Sequence, residues 1–399
     1  MRLLICPQEF KGSLTAEQAA SAIARGARRA LGLADVVATV VERPLADGGP
    51  GTLDILATLP RSSGAAGGML RRANVTGPLG EAVTARFALL PRPDAPPLAV
   101  VESAQACGLL LLPAERRDPA HATTRGVGEL IAAALAAGAR EVVVGVGGSG
   151  TNDGGAGAAR ALGLSLRDVD GAPLAEGGAP LVGLARVELA PLSTALASAL
   201  DGARLRIAVD VTSPLLGPLG ATSVYGRQKG VDAALAPKLE AGLTRWAERC
   251  RDDLSVDIEE PAGAGAGGGL PAGLLAVAAT SGATASVESG AAFVGDAVGL
   301  AAAARRADLV ITGEGRLDAQ SSFGKSTAHA ADVAIAAARP CLAVCGELEV
   351  LPPGIADAEE AGSGRSREEA MHLAPELVSQ AAERLVTRYL KRGVRRRGR

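Results

Sequence analysis

The chain has 399 residues, more than one ordinary hydrophobic core supports, so its length predicts two domains. Its formal net charge of −2 gives no long-range field that would attract nucleic acid or an anionic membrane, which leaves small molecules as the expected partners. The composition is 48% hydrophobic but only 2% aromatic, so the cores must pack Ala, Val, Leu and Ile, as layered α/β proteins do.

The N-terminal segment MRLLICPQEFKG contains an apolar run that is too short for a signal peptide. Elsewhere no stretch approaches the roughly 20 apolar residues that a membrane helix needs. The five cysteines are scattered without CxxC spacing, which indicates neither a disulfide framework nor a zinc knuckle. We therefore expect a cytoplasmic protein with buried free thiols.

Strand-length apolar runs alternate with helical patterns at the start of the chain. The run RLLICP leads to a helix over 15–31, which is followed by a second strand and a helix over 51–59. Thr15 and Gln18 have the spacing of a capping box, which marks the start of the first helix. This alternation is typical of a parallel sheet with helices on its faces.

The pattern changes between about residues 70 and 101, where short strands are broken by the turn sequences TGPLG and PRPDAPP. Later the βα pattern returns with four strand-length runs, EVVVGV (141–146), RLRIAVDV (204–211), ADLVITG (307–313) and PCLAVCG (340–346). Similar patterns at both chain ends thus enclose a different one. We therefore expect an inserted middle domain over residues 71–284, with residues 1–70 and 285–399 forming the other domain.

Small, polar and charged residues cluster directly after the predicted strands. In open α/β sheets ligands bind beyond the carboxyl ends of the strands, so these loops are the expected positions of a site. Four loops have this character: LADGGPGT (45–52), GVGGSGTNDGGAG (145–157), DVTSPLLGPLGATSVYGRQKG (210–230) and TGEGRLDAQSSFGKS (312–326).

The loop over 145–157 follows a strand and precedes a helical run, an arrangement that favours phosphate binding. Glycines let the backbone N–H groups of residues 147–150 approach phosphate oxygens closely. Asn152 and Asp153 in the same loop favour a ligand site over a simple tight turn, because a turn needs no side-chain ligand there.

The same loop also permits a different interpretation. Gly145, Gly147 and Gly150 fit the glycine fingerprint of dinucleotide binding, and Asp168 lies at about the distance of a ribose-binding carboxylate. An NAD(P)-dependent dehydrogenase is therefore an alternative. The fingerprint is weak, because the helix should begin within it, whereas TNDGG extends the loop.

A kinase that phosphorylates a small alcohol needs cations for the transferring phosphoryl group, carboxylates for magnesium, and a base beside the acceptor hydroxyl. The loops contain all three types of residue. The candidate cations are Lys11, Lys229 and Lys325, and the candidate metal ligands or bases are Asp47, Asp153, Asp210, Glu314 and Asp318. Their shared position at strand ends makes the set more informative than any single member.

Taken together, these motifs resemble the bacterial, ATP-dependent glycerate kinase family. The similarity runs nearly from end to end and includes PQEFKGSL, PLADGGPGT, GVGGSGTNDGGAG, YGRQKG and LVITGEGRLDAQSSFGKS. It implies two α/β domains, one Rossmann/flavodoxin-like with a parallel sheet built from both chain ends, and an active site in the cleft between them. It also implies that Mg²⁺ and ATP phosphorylate D-glycerate to 2-phosphoglycerate or 3-phosphoglycerate.

The resemblance and the loop chemistry together give the candidate residues roles. The expected catalytic residues are Lys11, Asp47, Asp153, Lys229 and Asp318. Nucleotide or phosphate groups are expected at Gly147, Gly148, Ser149, Asn152, Gly313, Glu314, Gly315 and Lys325. Substrate is expected at Ser13, Gly48, Gly49 and Arg316, and a metal ion at Asp210. The partners are then glycerate and ATP, with no nucleic acid and no membrane, and a homodimer is left open.

The sequence departs from the family pattern at several positions. Gln8 and Glu9 stand where an Asp-Ser pair is usual, Pro50 replaces an acidic residue, and Arg227 replaces a proline. These departures keep a non-catalytic, ligand-binding homologue as a second alternative. The glycine-rich loop and the GEGRLD loop are intact, so kinase activity is the leading prediction.

Overall fold

The computed structural model describes residues 1–58, 68–318 and 326–397, with side chains up to residue 392. The chain divides into two compact units, which we call the terminal unit (Met1–Asp47 and Ala291–Arg399) and the central unit (Gly48–Gly290). The sequence pattern placed the first boundary near residue 70. The central unit begins earlier because the helix Thr52–Ala57 packs against strands of the central sheet.

The elements follow the chain in a regular alternation. The strands are β1 (Arg2–Ile5), β2 (Thr39–Glu42), β3 (Met69–Thr76), β4 (Ala82–Arg92), β5 (Ala95–Glu102), β6 (Glu141–Gly145), β7 (Leu164–Arg167), β8 (Arg186–Leu189), β9 (Arg204–Val209), β10 (Thr284–Ser289), β11 (Leu309–Leu317), β12 (Cys341–Leu348) and β13 (Asp357–Glu360). The α-helices are α1 (Ala16–Leu33), α2 (Thr52–Ala57), α3 (Ala104–Cys107), α4 (Arg125–Ala136), α5 (Ala156–Ala161), α6 (Thr194–Leu200), α7 (Ala221–Tyr225), α8 (Ala236–Leu254), α9 (Leu270–Ser281), α10 (Gly290–Ala297), α11 (Leu300–Arg306), α12 (Ser326–Ala336), α13 (Arg367–His372) and α14 (Ala374–Arg397).

The terminal unit contains a five-stranded, fully parallel sheet in the order β13-β12-β11-β1-β2. The two ends of the chain meet in it, since Leu4 of β1 lies in register with Val310 of β11. Helices α1 and α14 pack closely on each other, and a Cβ atom added at Gly26 would lie 1.9 Å from the Ser379 carbonyl oxygen. Glycine is therefore required at that crossing.

The start of α1 agrees with the sequence pattern. The Thr15 side chain accepts a hydrogen bond from the Gln18 N–H group at 3.2 Å, and the Gln18 side chain accepts one from the Thr15 N–H group at 2.9 Å. This reciprocal pair satisfies two backbone donors that the first turn leaves without intrahelical partners. The predicted capping box is confirmed.

The central unit contains a six-stranded mixed sheet in the order β10-β9-β6-β5-β4-β3. Four strands are parallel, and β4 and β3 run antiparallel at one edge. The core below this sheet is aliphatic apart from a few aromatic side chains, of which Trp246 is completely buried. The PRPDAPP segment is less interrupted than predicted, because its ends extend β4 and β5 into a tight hairpin.

The predicted fold class is confirmed. One α/β unit has a Rossmann/flavodoxin-like parallel sheet built from both chain ends, and the segment between them forms a mixed α/β unit. Within the described parts of the chain, no helix is long and apolar enough to cross a membrane.

Candidate active site

A cavity of about 660 Å³ lies beside the carboxyl ends of β1, β11 and β12 in the terminal unit. This volume is in the range of pockets that hold small molecules. Many of the predicted site residues line it: Lys11, Ser13, Asp47, Glu314, Gly315, Arg316 and Asp318. The sequence therefore located these residues correctly at one edge of a parallel sheet, although they come from both ends of the chain.

Acidic and basic side chains share the wall of this cavity. Asp47 accepts a hydrogen bond from the Gln8 amide nitrogen at 3.2 Å. The neighbouring Glu9 carboxyl has a raised pKa, chiefly because it is partly buried; Lys11 lowers this pKa and Asp47 raises it further. The cavity thus offers carboxylates and a cation to one small ligand. Sequence reasoning noted Glu9 only as a departure from the family pattern.

Gln8 deserves mention because its orientation follows from chemistry. Asp47 is an acceptor when it is ionised, so the Gln8 amide nitrogen must face it. The Gln8 side chain is buried, and its carbonyl oxygen has no hydrogen-bond partner among the described residues. The Gln8 amide therefore fixes the Asp47 carboxylate within the cavity wall.

Three other predictions for the terminal unit have different outcomes. The Arg316 guanidinium is exposed and lies against the carboxylates of Glu347, at 3.7 Å, and Glu349, so it must exchange partners to bind substrate. Gly313 lies inside β11, where an added Cβ atom would be 2.2 Å from the Val344 carbonyl oxygen. That close strand contact explains the glycine without a phosphate. Lys325 lies outside the described residues.

In the central unit, two glycine-containing loops meet at the carboxyl end of β6. A Cβ atom added at Gly145 would lie 1.8 Å from the Gly48 carbonyl oxygen, and one added at Gly147 would lie 2.8 Å from the Gly49 Cα atom. Gly48 also has a positive φ of 88°, which favours glycine. The predicted substrate residues Gly48 and Gly49 therefore have a packing role, since they let the loop over 145–157 approach.

The glycine-rich loop presents a short set of backbone donors. Among the described residues, no acceptor is found for the N–H groups of Gly147, Gly148 and Ser149. The N–H group of Gly150 is occupied, because it donates to the Cys107 carbonyl oxygen at 2.8 Å. A phosphate fits residues 147–149, one residue fewer than the sequence predicted.

Asp153 lies behind this loop and is completely buried. One of its carboxylate oxygens accepts hydrogen bonds from the Thr124 N–H group at 2.8 Å, the Thr124 hydroxyl at 2.8 Å and the Gly157 N–H group at 3.1 Å. The other oxygen accepts one from the Gly155 N–H group at 3.2 Å. Burial raises the pKa of this carboxyl, and the hydrogen bonds oppose that rise.

This geometry argues against Asp153 as a general base or metal ligand, because its lone pairs are already directed at four internal donors. The carboxylate instead caps the start of α5, since two of its donors belong to that end of the helix. The same contacts occupy the helix N-terminus that the sequence analysis expected to bind phosphate.

Two more predicted residues of the central unit also face inwards. Asn152 is buried and donates from its side-chain nitrogen to the Thr222 hydroxyl at 3.0 Å. Lys229 is 1% exposed and donates to the Thr151 carbonyl oxygen at 2.6 Å. Burial lowers the pKa of the Lys229 ammonium to about 8. Neither side chain is placed to touch a ligand directly.

Asp210 follows β9 and is half-buried, with a hydrogen bond from the Ser289 hydroxyl at 2.9 Å. In the parts of the chain that the structure describes, no group of three or more His, Cys, Asp or Glu side chains is arranged to hold a metal ion. Magnesium in kinases takes one or two protein carboxylates and completes its shell with phosphate and water. A single Asp at this strand end is compatible with that pattern.

Glu102 was missed by the sequence analysis. It ends β5 and is buried, with the Leu53 N–H group donating to it at 2.8 Å and the Gln105 amide at 3.1 Å. Burial raises the pKa of this carboxyl. The signal was a single charged residue that ends an apolar run, which marks a strand end but not the direction of the side chain.

Asp168 does not support a dinucleotide site. One of its carboxylate oxygens accepts hydrogen bonds from the N–H groups of Asp170, at 3.0 Å, and Ala172, at 2.9 Å, so the residue closes a local turn. A carboxylate used in this way is not available to a ribose.

The fold and these features define an α/β enzyme that acts on small molecules. A model described as the glycerate kinase family matches residues 3–390. The chain belongs to this family and is a kinase, a phosphotransferase whose acceptor is an alcohol group. The kinase prediction is confirmed, and the dehydrogenase alternative is set aside.

Individual relatives agree with the family match. A glycerate 2-kinase of Escherichia coli K12 is 39% identical over 348 residues, which cover 87% of this chain and 86% of the relative. A glycerate kinase of Bacillus subtilis 168 is 40% identical over 348 residues, which cover 87% and 85%. A solved structure from Salmonella typhimurium LT2, provisionally described as glycerate kinase 2, has a TM-score of 0.79 at 37% identity and covers 99% of both chains.

Proposed function

We propose that this glycerate kinase transfers the γ-phosphate of ATP to D-glycerate and releases 2-phosphoglycerate and ADP. The observation that carries the proposal is the cavity of the terminal unit, which combines Lys11, Asp47, Glu314 and Asp318 in one wall. A hydroxy acid has one anionic group and neutral hydroxyls, and this mixture of a cation with several acceptors matches it.

The acceptor hydroxyl needs a group that takes its proton. We assign this role to Asp47, because its carboxylate lines the cavity and the Gln8 amide orients it at 3.2 Å. Lys11 is exposed on the same wall, where its ammonium attracts the glycerate carboxylate or the transferring phosphoryl group.

The nucleotide phosphates are assigned to the backbone N–H groups of residues 147–149, for which no acceptor is found among the described residues. Asp210 and Asp318 supply oxygen ligands of the type that Mg²⁺ prefers. When bound, Mg²⁺ neutralises charge on the phosphate oxygens. Because the donor is ATP, we propose the cytoplasm as the place of action.

The choice of 2-phosphoglycerate follows the Escherichia coli relative, which is described as a glycerate 2-kinase. Phosphorylation at the third carbon would give 3-phosphoglycerate from the same two substrates. The assignment of the product is therefore independent of the assignment of ATP as donor.

The test is a coupled assay of ADP release with purified protein, Mg²⁺, ATP and D-glycerate. We expect turnover that depends on D-glycerate and is absent when either Mg²⁺ or the acceptor is omitted. If the folded protein releases no ADP above the no-acceptor control, the proposal is refuted. Tight D-glycerate binding without ADP release would instead support the non-catalytic homologue, which the Gln8 and Pro50 departures motivate.

A further inference from the structure

Lys229 is one of the largest fully buried side chains of the protein. Its ammonium donates to the Thr151 carbonyl oxygen at 2.6 Å, and this is its one hydrogen bond among the described residues. A buried ammonium normally needs a counter-charge and several acceptors, because removing it from water costs several kcal/mol. The contacts of Lys229 leave most of that cost uncompensated.

The groups that face this ammonium are known. The charged or titratable ones are Cys107 and Asp153. Burial raises the pKa of the Cys107 thiol to about 12, so it is neutral near pH 7. Asp153 directs its oxygens at four other donors and acts on Lys229 only through space. Neither group forms a direct ion pair with Lys229.

The ammonium also lies at a junction of two glycine-rich segments. The Ser149 hydroxyl donates to the Gly267 carbonyl oxygen at 2.7 Å, and the Gly154 N–H group donates to the Gly268 carbonyl oxygen at 2.9 Å. A Cβ atom added at Gly268 would lie 2.8 Å from the Lys229 nitrogen. Lys229 is therefore packed directly behind the loop whose outer N–H groups are free.

We propose that Lys229 is a positioning residue: its buried ammonium holds the Thr151 carbonyl and places a positive charge behind the glycine-rich loop, which strengthens the binding of phosphate groups at residues 147–149. This inference rests on the proposed nucleotide phosphate site. It replaces the expectation that Lys229 touches the transferring phosphoryl group, since a side chain that is 1% exposed reaches no ligand.

A testable linkage follows from the position of the charge. Burial lowers the pKa of Lys229 to about 8, so the ammonium is present at pH 7 and largely lost by pH 9. The affinity for phosphate must then fall as the pH rises through 8. A bound anion stabilises the ammonium in return, so nucleotide binding near pH 8 takes up protons.

The magnitude can be bounded. A unit charge roughly 10 Å from a phosphate, at an effective dielectric constant near 20, changes affinity by about 10-fold. Titration of a group with a pKa of about 8 delivers about 5-fold of that change between pH 7 and pH 9.

The experiment is isothermal titration calorimetry of ADP with Mg²⁺, at pH 7 and 9, with proton uptake measured at pH 8 in buffers of different ionisation enthalpy. For the wild type we expect a Kd about 5-fold higher at pH 9 and net proton uptake. Lys229→Met should bind ADP about 10-fold more weakly at pH 7 and lose the pH dependence. The matched control is Lys238→Met, which removes an exposed lysine of α8 and should behave like the wild type.

Each outcome decides one assignment. A wild-type Kd that is equal at pH 7 and 9, without proton uptake, overturns the role of Lys229 while leaving the phosphate site intact. The same conclusion follows if Lys229→Met keeps the wild-type pH dependence. No ADP binding by folded wild type at pH 7 would instead overturn the phosphate site itself, and the role of Lys229 with it. If Lys229→Met fails to fold, the wild-type measurements alone decide.

Discussion

Replacing Asp153 with Asn separates a helix cap from a catalytic carboxylate. The change removes the charge and keeps the size, but it substitutes an NH₂ group for one of two oxygens that together accept four hydrogen bonds. If the remaining oxygen keeps the Thr124 and Gly157 donors, the NH₂ group faces the Gly155 N–H group, donor against donor. One hydrogen bond is lost and the others become bonds to a neutral acceptor.

The expected cost comes from two opposing terms. Hydrogen bonds to a charged group contribute about 1.5–3 kcal/mol each and neutral ones about 1 kcal/mol, so the change weakens the capping of α5. Burial raises the pKa of Asp153, so the neutral Asn recovers part of this loss because it buries no charge. We expect a net decrease of about 1–3 kcal/mol in the free energy of unfolding, equivalent to a fall in Tm of several degrees.

The assay pairs thermal unfolding with kinetics of ADP release. We expect Asp153→Asn to lower Tm, with kcat reduced by less than about 10-fold, because the residue acts only through the loop. Asp168→Asn is the matched control: it also accepts backbone N–H bonds, but in a surface turn, and should change stability by at most about 0.5 kcal/mol. An unchanged Tm with kcat lowered by about 1000-fold would show that Asp153 is catalytic and would refute the capping argument.

Three further changes test the cavity and the loops. Lys11→Ala should lower kcat/KM by about 100-fold with little change in Tm, and normal kinetics would reassign Lys11 to the surface. Glu9→Gln should raise Tm at pH 7, because the raised pKa of Glu9 means that its ionisation opposes folding; the difference from wild type should shrink as the pH falls towards 4, and a constant difference would contradict this. Gly145→Ala should destabilise the protein by about 3 kcal/mol or more, measured by urea unfolding, since its Cβ atom would overlap the Gly48 carbonyl oxygen; wild-type stability would show that the two loops separate easily.

The sequence predicted the secondary structure and the terminal-unit cavity well, for identifiable reasons. The capping box of Thr15 and Gln18 is a local signal that needs no knowledge of the rest of the fold. Lys11, Asp47 and Glu314 could be placed together because parallel strands end at one edge of their sheet. Position along a strand thus carried most of the correct site prediction.

The inward-facing residues could not be predicted in the same way. Asn152, Asp153 and Lys229 follow predicted strands like the cavity residues, but their side chains turn into the core. Which side of a loop a side chain faces depends on distant partners, such as Thr124 for Asp153, and no local spacing encodes those contacts. Likewise, Gly313 looked like a ligand-binding glycine but serves the contact between β11 and β12.

Transfer of the phosphoryl group itself is the most direct test of the proposed reaction. The protein should be incubated with Mg²⁺, ATP and D-glycerate and the products identified by phosphorus NMR. We predict that the γ-phosphate signal of ATP is replaced by a phosphomonoester on the second carbon of glycerate, in equal amount to the ADP formed. Conversion of ATP only to ADP and inorganic phosphate, with no phosphorylated glycerate, would contradict the central claim.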